Sequence, residues 1–170
     1  MDSYFTWRGE ADYTKGEVKR KDGRTMREKN SEEFAKVNLF GLGQANTAFA
    51  KYFIGDSFLN PLTAPGESAV GLANVTFAPG CRNNWHVHHA KRGGGQILIC
   101  TAGSGWYQEA GKAAVSLEPG AVIVIPSEVK HWHGAKKDSW FAHIAVEVPG
   151  EETGNEWLEP VDDAAYGALE

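Results

Sequence analysis

Downstream of residue 68, short apolar runs alternate with turn signals. Residues 69–77 are rich in β-branched and apolar types and stop at Pro79 and Gly80, so they read as a strand. Residues 84–88, 96–101, 121–125, 130–134 and 140–148 read the same way. Residues 106–109 and 113–117 flank Ala110, Gly111 and Lys112 as a hairpin. About eight strands at roughly 8–12 residue spacing predict a β-sandwich or barrel.

Upstream the pattern is looser. Asn30 followed by Glu33 has the capping-box spacing and predicts a short helix over residues 31–37. The aromatic stretch with Phe49, Tyr52, Phe53 and Phe58 predicts an extended segment over 47–53, with Asn60 and Pro61 as a breaker. Residues 1–30 are polar and charged, with a basic triplet at Lys19, Arg20 and Lys21, and read as a loose arm or edge strand. The tail is polar, and Asp162 is placed to cap one helical turn. The expectation is an N-terminal extension at 1–46 followed by a barrel with its C-terminal tail at 47–170.

Composition narrows the class. Hydrophobic residues make up 42% and charged residues 23%, which excludes disorder as the main state. Twenty glycines and seven prolines suit a turn-rich β chain rather than a helix bundle. The net charge of −5 disfavours a nucleic-acid backbone as partner. No apolar run has the length of a membrane span, and residues 1–20 hold no export-type core. Cys81 and Cys100 do not make a disulfide framework, so a reduced, cytoplasmic protein is expected.

The chemistry lies in the histidines, all six of which fall between His86 and His143. His86/His88 and His131/His133 each have one residue between them. On a strand, residues i and i+2 share a face, so each pair puts two imidazoles on one side. One such pair is most simply two exposed histidines. Two pairs in a short β chain, each beside a tryptophan (Trp85, Trp132), can instead close on a metal ion, for which neutral imidazole is a common ligand.

Gly80, five residues, His86, Val87 and His88 resemble the first motif of the cupin superfamily. Gln96, six residues and then Gly103 follow, so Gln96 stands in the acidic-ligand position. Gly120, five residues, Pro126 and then His131 resemble the second motif. The seven residues between His88 and Gln96, including Gly93, Gly94 and Gly95, are more than the family usually has. Glu128 stands where glycine is usual. The likeness runs over residues 69–170. Within that superfamily the chain resembles the small cupins found with carboxymuconolactone decarboxylases and the manganese-dependent cupin hydroxynitrile lyases, whose shared stretches are resembled at 95–103, 130–134 and 157–163.

The resemblance implies an all-β cupin fold, a double-stranded β-helix or jelly-roll barrel with one or two short helices. It implies a homodimer and one divalent ion per chain (Mn, Fe, Ni or Zn) held by His86, His88, Gln96 and His131. It also places His143 in the pocket as a base. Alternation alone says otherwise: Ala142, Ile144, Val146 and Val148 form an apolar face, which would turn His143 and Glu147 outward. Glu147 is a candidate to tune His143 or bind substrate, and His133 is either a satisfied pocket residue or a direct participant.

His89 is out of phase and reads as surface, as do Lys91 and Arg92. Cys100 reads as a small core residue, Ala73 and Asn74 lie on a strand expected to line the pocket, and the tryptophans at 85, 106, 132 and 140 read as core. A neutral amide ligand leaves a divalent ion its full charge, which favours Lewis-acid chemistry. The expected function is therefore a metal-dependent lyase or isomerase acting on a small molecule by proton transfer. An Fe- or Ni-dependent dioxygenase and a non-catalytic small-molecule-binding cupin are the alternatives.

Overall fold

Glycine and proline turns cut the chain into strands too short to stand alone, and pairing across two sheets buries them. A computed structural model describes residues 30–169; the basic triplet at 19–21 lies outside the described residues. The predicted helix is α1 (Ser31–Ala35), where Asn30 accepts the Glu33 amide at 2.8 Å. Strand β1 (Gln44–Ala45) follows, then a 3-10 turn at Ala50–Tyr52, β2 (Phe53–Ile54) and β3 (Ser57–Pro61).

Next come β4 (Gly71–Phe77), β5 (Arg82–Asn83), β6 (His86–His89), β7 (Arg92–Gly93), β8 (Gln96–Gly103) and β9 (Gly105–Glu109). They are followed by β10 (Val115–Leu117), β11 (Val122–Ile125), β12 (His131–Ala135), β13 (Phe141–Glu147), β14 (Gly150–Glu151) and β15 (Gly154–Trp157). Asp162 caps the closing helix α2 (Asp163–Gly167) through the Ala165 amide at 2.8 Å, as the sequence predicts.

One sheet has the order β1-β3-β4-β13-β8-β11. The other runs β10-β9-β12-β5-β2, with β6 pairing both β12 and β15. The small pair β14-β7 joins two loops. The architecture is an all-β barrel with two short helices. Its main core holds Phe77, Leu98, Cys100, Leu117, Ile125 and Phe141, all at 2% exposure or less. Helix α2 closes one wall: Tyr166 Oη donates to the Ala135 carbonyl at 2.7 Å, and Arg82 pairs with Asp163.

Two expectations fail. Residues 47–52 are turn and 3-10 helix rather than an extended segment, and only Phe53 joins a strand, because Phe49 and Tyr52 pack on Trp157 instead of joining a sheet. Asn60 and Pro61 end β3 instead of breaking the chain. They pair with Asn74 and Ala73 on the β4 side only, while β1 reaches no further than Leu59. Pro61, which has no N–H to give, thus sits where its other edge is open.

A bulge sets which residues face inward. Across β13 and β8, His143 opposes Cys100 and Ala142 opposes Ala102, so Thr101 is the extra residue. The step turns Ala102 and Ala142 outward together, under Phe34 of α1. It leaves Gln96, Leu98 and Cys100 facing in. Gly103 closes the bulge at φ 69°, where a β-carbon would meet the Trp140 carbonyl oxygen at 1.8 Å.

Candidate active site

Two-residue periodicity places His86 and His88 on the inner face of β6, and His131 and His133 on the inner face of β12. The strands are antiparallel neighbours, with His86 opposite His131, and those two ring centroids lie 4.1 Å apart. Gln96 begins β8, and Glu147 ends β13 directly across from it. Every sequence-predicted ligand is buried, and so are His133 and His143.

Alternation alone fails for His143. It is fully buried in the barrel, because the apolar face of β13 is the outer one and Phe34 covers its Ala142 end. The placement implied by the resemblance is the one observed. Ala73 faces the same cavity, whereas Asn74 points to the other side and donates to the Gly41 carbonyl at 3.0 Å.

The hydrogen bonds sort the imidazole nitrogens. His86 Nδ1 lies 3.0 Å from the Asn84 carbonyl and His131 Nδ1 lies 2.9 Å from the Val129 carbonyl. A carbonyl only accepts, so both rings carry their proton at Nδ1 and keep a lone pair at Nε2. Nδ1 of His88 is 3.6 Å from the Glu147 carboxylate. Gln96 Nε2 donates to Glu147 at 2.9 Å, which turns the amide oxygen inward.

Three inward atoms then have no hydrogen-bond partner among the described residues: His88 Nε2, His131 Nε2 and Gln96 Oε1. Orphaned buried acceptors cost roughly 1–3 kcal/mol each, and a bound cation would satisfy all three. The residues present therefore fit a divalent metal ion.

Distance alone favours a different trio. His86, His131 and His133 each bring a ring nitrogen within 4.8 Å of the others. In His133, however, Nε2 faces the Asn83 side-chain nitrogen at 3.1 Å and Nδ1 faces His143 Nε2 at 3.2 Å. Both of its nitrogens are engaged, so the donor chemistry ranks His88 and Gln96 above His133.

Burial drives these rings to the neutral form. It holds His86 and His133 well below the ordinary imidazole value and lowers His88. It takes His131 and His143 down to about 4. Neutral imidazole is the form that ligates metals and accepts protons.

The cavity beside them measures about 150 Å³, well below the ~300–1,000 Å³ of drug-sized sites. Phe49, Phe53, Leu59, Val75 and Trp157 form its apolar wall, and Trp157 stacks on His86 at 4.8 Å. A larger cleft of about 540 Å³ lies outside, and Glu147 borders both spaces.

The remaining candidates fall away from the cavity or into the core. His89 lies between Glu128 and Glu156 at the surface, which raises its pKa. Lys91 and Arg92 are exposed and pair with Glu152 and Glu151. Cys81 and Cys100 are free, and burial pushes both thiols up to about 12. Trp132 is fully buried, and Trp85 and Trp106 pack with it. Glu128 adopts φ 67°, a left-handed backbone that explains why glycine is usual there.

Sequence reasoning missed Asn83, the wall residues Phe49 and Phe53, and Asn155, which pairs with His88 across β15 and β6 and lines the cavity. Asn83 and Asn155 lie in polar stretches that read as loop, and nothing in their spacing marks them. The adjacent histidine pair is the only cue to Asn83.

No family model matches the chain. The chain is 39% identical over 118 residues to the (R)-mandelonitrile lyase of Granulicella tundricola, covering 69% of this chain and 87% of that protein. A cupin-like protein from Thermotoga maritima superposes with a TM-score of 0.66 at 36% identity, over 76% of this chain and 94% of the other. A cupin 2 conserved barrel domain protein from Rhodopseudomonas palustris, 18% identical, shares the fold with a TM-score of 0.56 over 72% and 79% of the two chains. Among the described residues no helix is long and apolar enough to cross a membrane.

Proposed function

The chain belongs to the cupin superfamily, and on that premise we propose that it is a divalent-metal-dependent lyase that cleaves a small aromatic 2-hydroxynitrile by proton transfer. The substrate class comes from the relative named (R)-mandelonitrile lyase. The observation that carries the reading is the placement of three unpartnered acceptors, on His88, Gln96 and His131, beside a buried neutral imidazole pair, His133 and His143.

His86, His88, His131 and Gln96 are the residues that would hold the ion. When bound, it supplies Lewis-acid stabilisation of an oxygen anion, undiminished by a carboxylate ligand. Phe49, Phe53 and Trp157 give an aryl group an apolar wall to pack against. The small cavity and its apolar wall leave little room for water beside a bound substrate.

His143, neutral at physiological pH, takes the hydroxyl proton of the substrate. The bond to the nitrile carbon then breaks, its electron pair leaves with cyanide, and the alkoxide carbon becomes the carbonyl. The proton held by His143 returns to cyanide, so the products are an aldehyde and hydrogen cyanide. Glu147 holds the Gln96 amide so that its oxygen, not its nitrogen, faces inward.

The test is benzaldehyde release from mandelonitrile by protein loaded in turn with Mn, Fe, Ni and Zn, with and without oxygen. A lyase turns over without oxygen and accepts at least one redox-silent ion. Stoichiometric oxygen uptake with no anaerobic turnover would replace this reading with a dioxygenase. Binding without turnover under any ion would replace it with a non-catalytic binding cupin.

A further inference from the structure

We propose that Asn83 is a positioning residue that sets the direction of a buried hydrogen-bond chain, Asn83 to His133 to His143, and thereby keeps the His143 proton on Nδ1 and leaves Nε2 unprotonated, its lone pair accepting from His133 Nδ1–H until substrate displaces that contact. The argument starts at the backbone. Asn83 Oδ1 accepts the His133 amide N–H at 2.9 Å, and an amide N–H can only donate. That contact fixes which end of the Asn83 amide is oxygen, so Nδ2, with its two N–H groups, is the end that faces the His133 ring.

The nearer ring atom is Nε2 at 3.1 Å, and Nδ1 lies 3.5 Å away, at the limit of a hydrogen bond. A donor there requires a bare acceptor, so the neutral His133 carries its proton at Nδ1. Nδ1 lies 3.2 Å from His143 Nε2 and donates to it. His143 Nε2 is therefore unprotonated, and its proton sits at Nδ1, a buried atom.

Burial makes this direction consequential. Asn83, His133 and His143 are each 4% exposed or less, so bulk water does not scramble the tautomers. Nε2 is the His143 ring atom that faces His133 across the barrel interior. With the chain reversed, that atom would carry a proton and could not accept one. Phe77 and Phe141 pack 5.6 Å from the His143 ring and offer it no competing polar partner. The consequence for turnover rests on the reading of His143 as the proton-moving group; the direction of the chain does not.

The test reads imidazole ¹⁵N resonances of the full-length chain, metal-free and zinc-loaded. The expected pattern in the unsubstituted protein is a protonated Nδ1 and a bare Nε2 at both His133 and His143. A proton on Nε2 of either ring overturns the proposal. Asn83→Asp keeps the acceptor for the His133 amide but removes the donor, so His133 Nε2 should change from bare to protonated. Asn83→Ala should leave His133 without a single tautomer. Unchanged tautomers in a folded variant would mean that Asn83 is structural only.

In the zinc-loaded protein, Asn83→Asp should also lower kcat at least about 10-fold, toward the range seen when a general base is lost, with KM and zinc content changed less than about twofold. Should neither variant fold, the resonances of the unsubstituted protein still decide the direction. The expected tautomers in a protein that fails to cleave mandelonitrile would support the chain and remove only the lyase assignment.

Discussion

One end of the barrel is lined by Phe77, Leu98, Cys100, Leu117, Ile125 and Phe141; the other by His86, His88, His131, His133, His143 and Gln96. The two linings share strands. On the inner face of β13, Phe141 belongs to the first and His143, one step along, to the second. On β8, Leu98 and Cys100 belong to the first and Gln96 to the second. Both sets of side chains are buried, yet their energetics oppose each other. Burying a Phe or Leu side chain contributes about 1.5–3 kcal/mol. Burying an imidazole with an unpartnered nitrogen costs free energy, so the histidine end is held in place by the apolar end and by whatever it binds.

The largest effects should come from the histidine end and should split by position. His88→Ala removes one of the three orphaned acceptors, and metal and activity should be lost together. His143→Ala should lower kcat by roughly 10²–10⁴-fold while bound metal stays unchanged. Metal analysis of both purified variants beside their turnover separates the roles. If His143→Ala also strips the metal, His143 belongs with the ligands.

The apolar end should answer in stability instead. Phe141 is fully buried against Phe77, and Phe141→Ala should cost about 3–5 kcal/mol in urea denaturation. At substrate saturation, the fraction that remains folded should keep its kcat. Loss of kcat in folded protein would mean that the two ends are coupled through β13.

Much of this division was readable in the sequence. The i, i+2 spacing of His86/His88 and His131/His133 survives as two inward pairs, because alternation along a strand is a covalent constraint. The turn residues located most of the strands. What could not be read depended on partners far along the chain. His143 faces inward against its own strand's apolar pattern because Phe34 covers the outer side at Ala142, and no local rule encodes that contact. Strand β15 is polar and reads as loop; it forms because its backbone pairs with the β6 edge, Trp157 against His86. Asn83 escaped notice because its role depends on a contact fifty residues away, at His133. Inversions of the hydrophobic pattern fall where the chemistry lies.

Acid should weaken the metal-free protein through the histidine end, with further losses where Glu128 and Glu159, both held below the usual carboxylate range by their partners, take up protons. An unfolded histidine takes its proton near pH 6.5, while burial holds folded His143 at about 4. Between those values the unfolded chain binds more protons, so the stability contributed by His143 falls as pH drops from 6.5 to 4 and its loss levels off below that. His143, fully buried, should contribute roughly 3 kcal/mol to the decline. Urea titrations of His143→Gln with a chelator present, from pH 7.5 to 4, should show a shallower slope than the unsubstituted protein. Equal slopes would place the acid sensitivity elsewhere.

The smallest effect should come from a region that belongs to neither lining. Strands β7 and β14 meet at the mouth of the outer cleft, where Arg92 pairs with Glu151 and Lys91 Nζ lies 2.8 Å from Glu152. The side chains of Lys91 and Glu152 are 66% and 72% exposed, so water and salt screen the pair. Such pairs contribute about 0.2–1 kcal/mol at most. The backbone there is held by shape instead: a β-carbon at Gly95 would sit 2.3 Å from the Ile125 carbonyl oxygen, and one at Gly94 would sit 2.4 Å from the Ala90 side chain. Lys91→Ala should therefore shift the unfolding free energy by no more than about 0.5 kcal/mol, a difference that shrinks further in ~1 M salt. Metal content and kcat should not move. A fall in kcat at unchanged stability would show that the mouth strands act on the reaction, and the histidine end would then extend from the barrel interior to its rim.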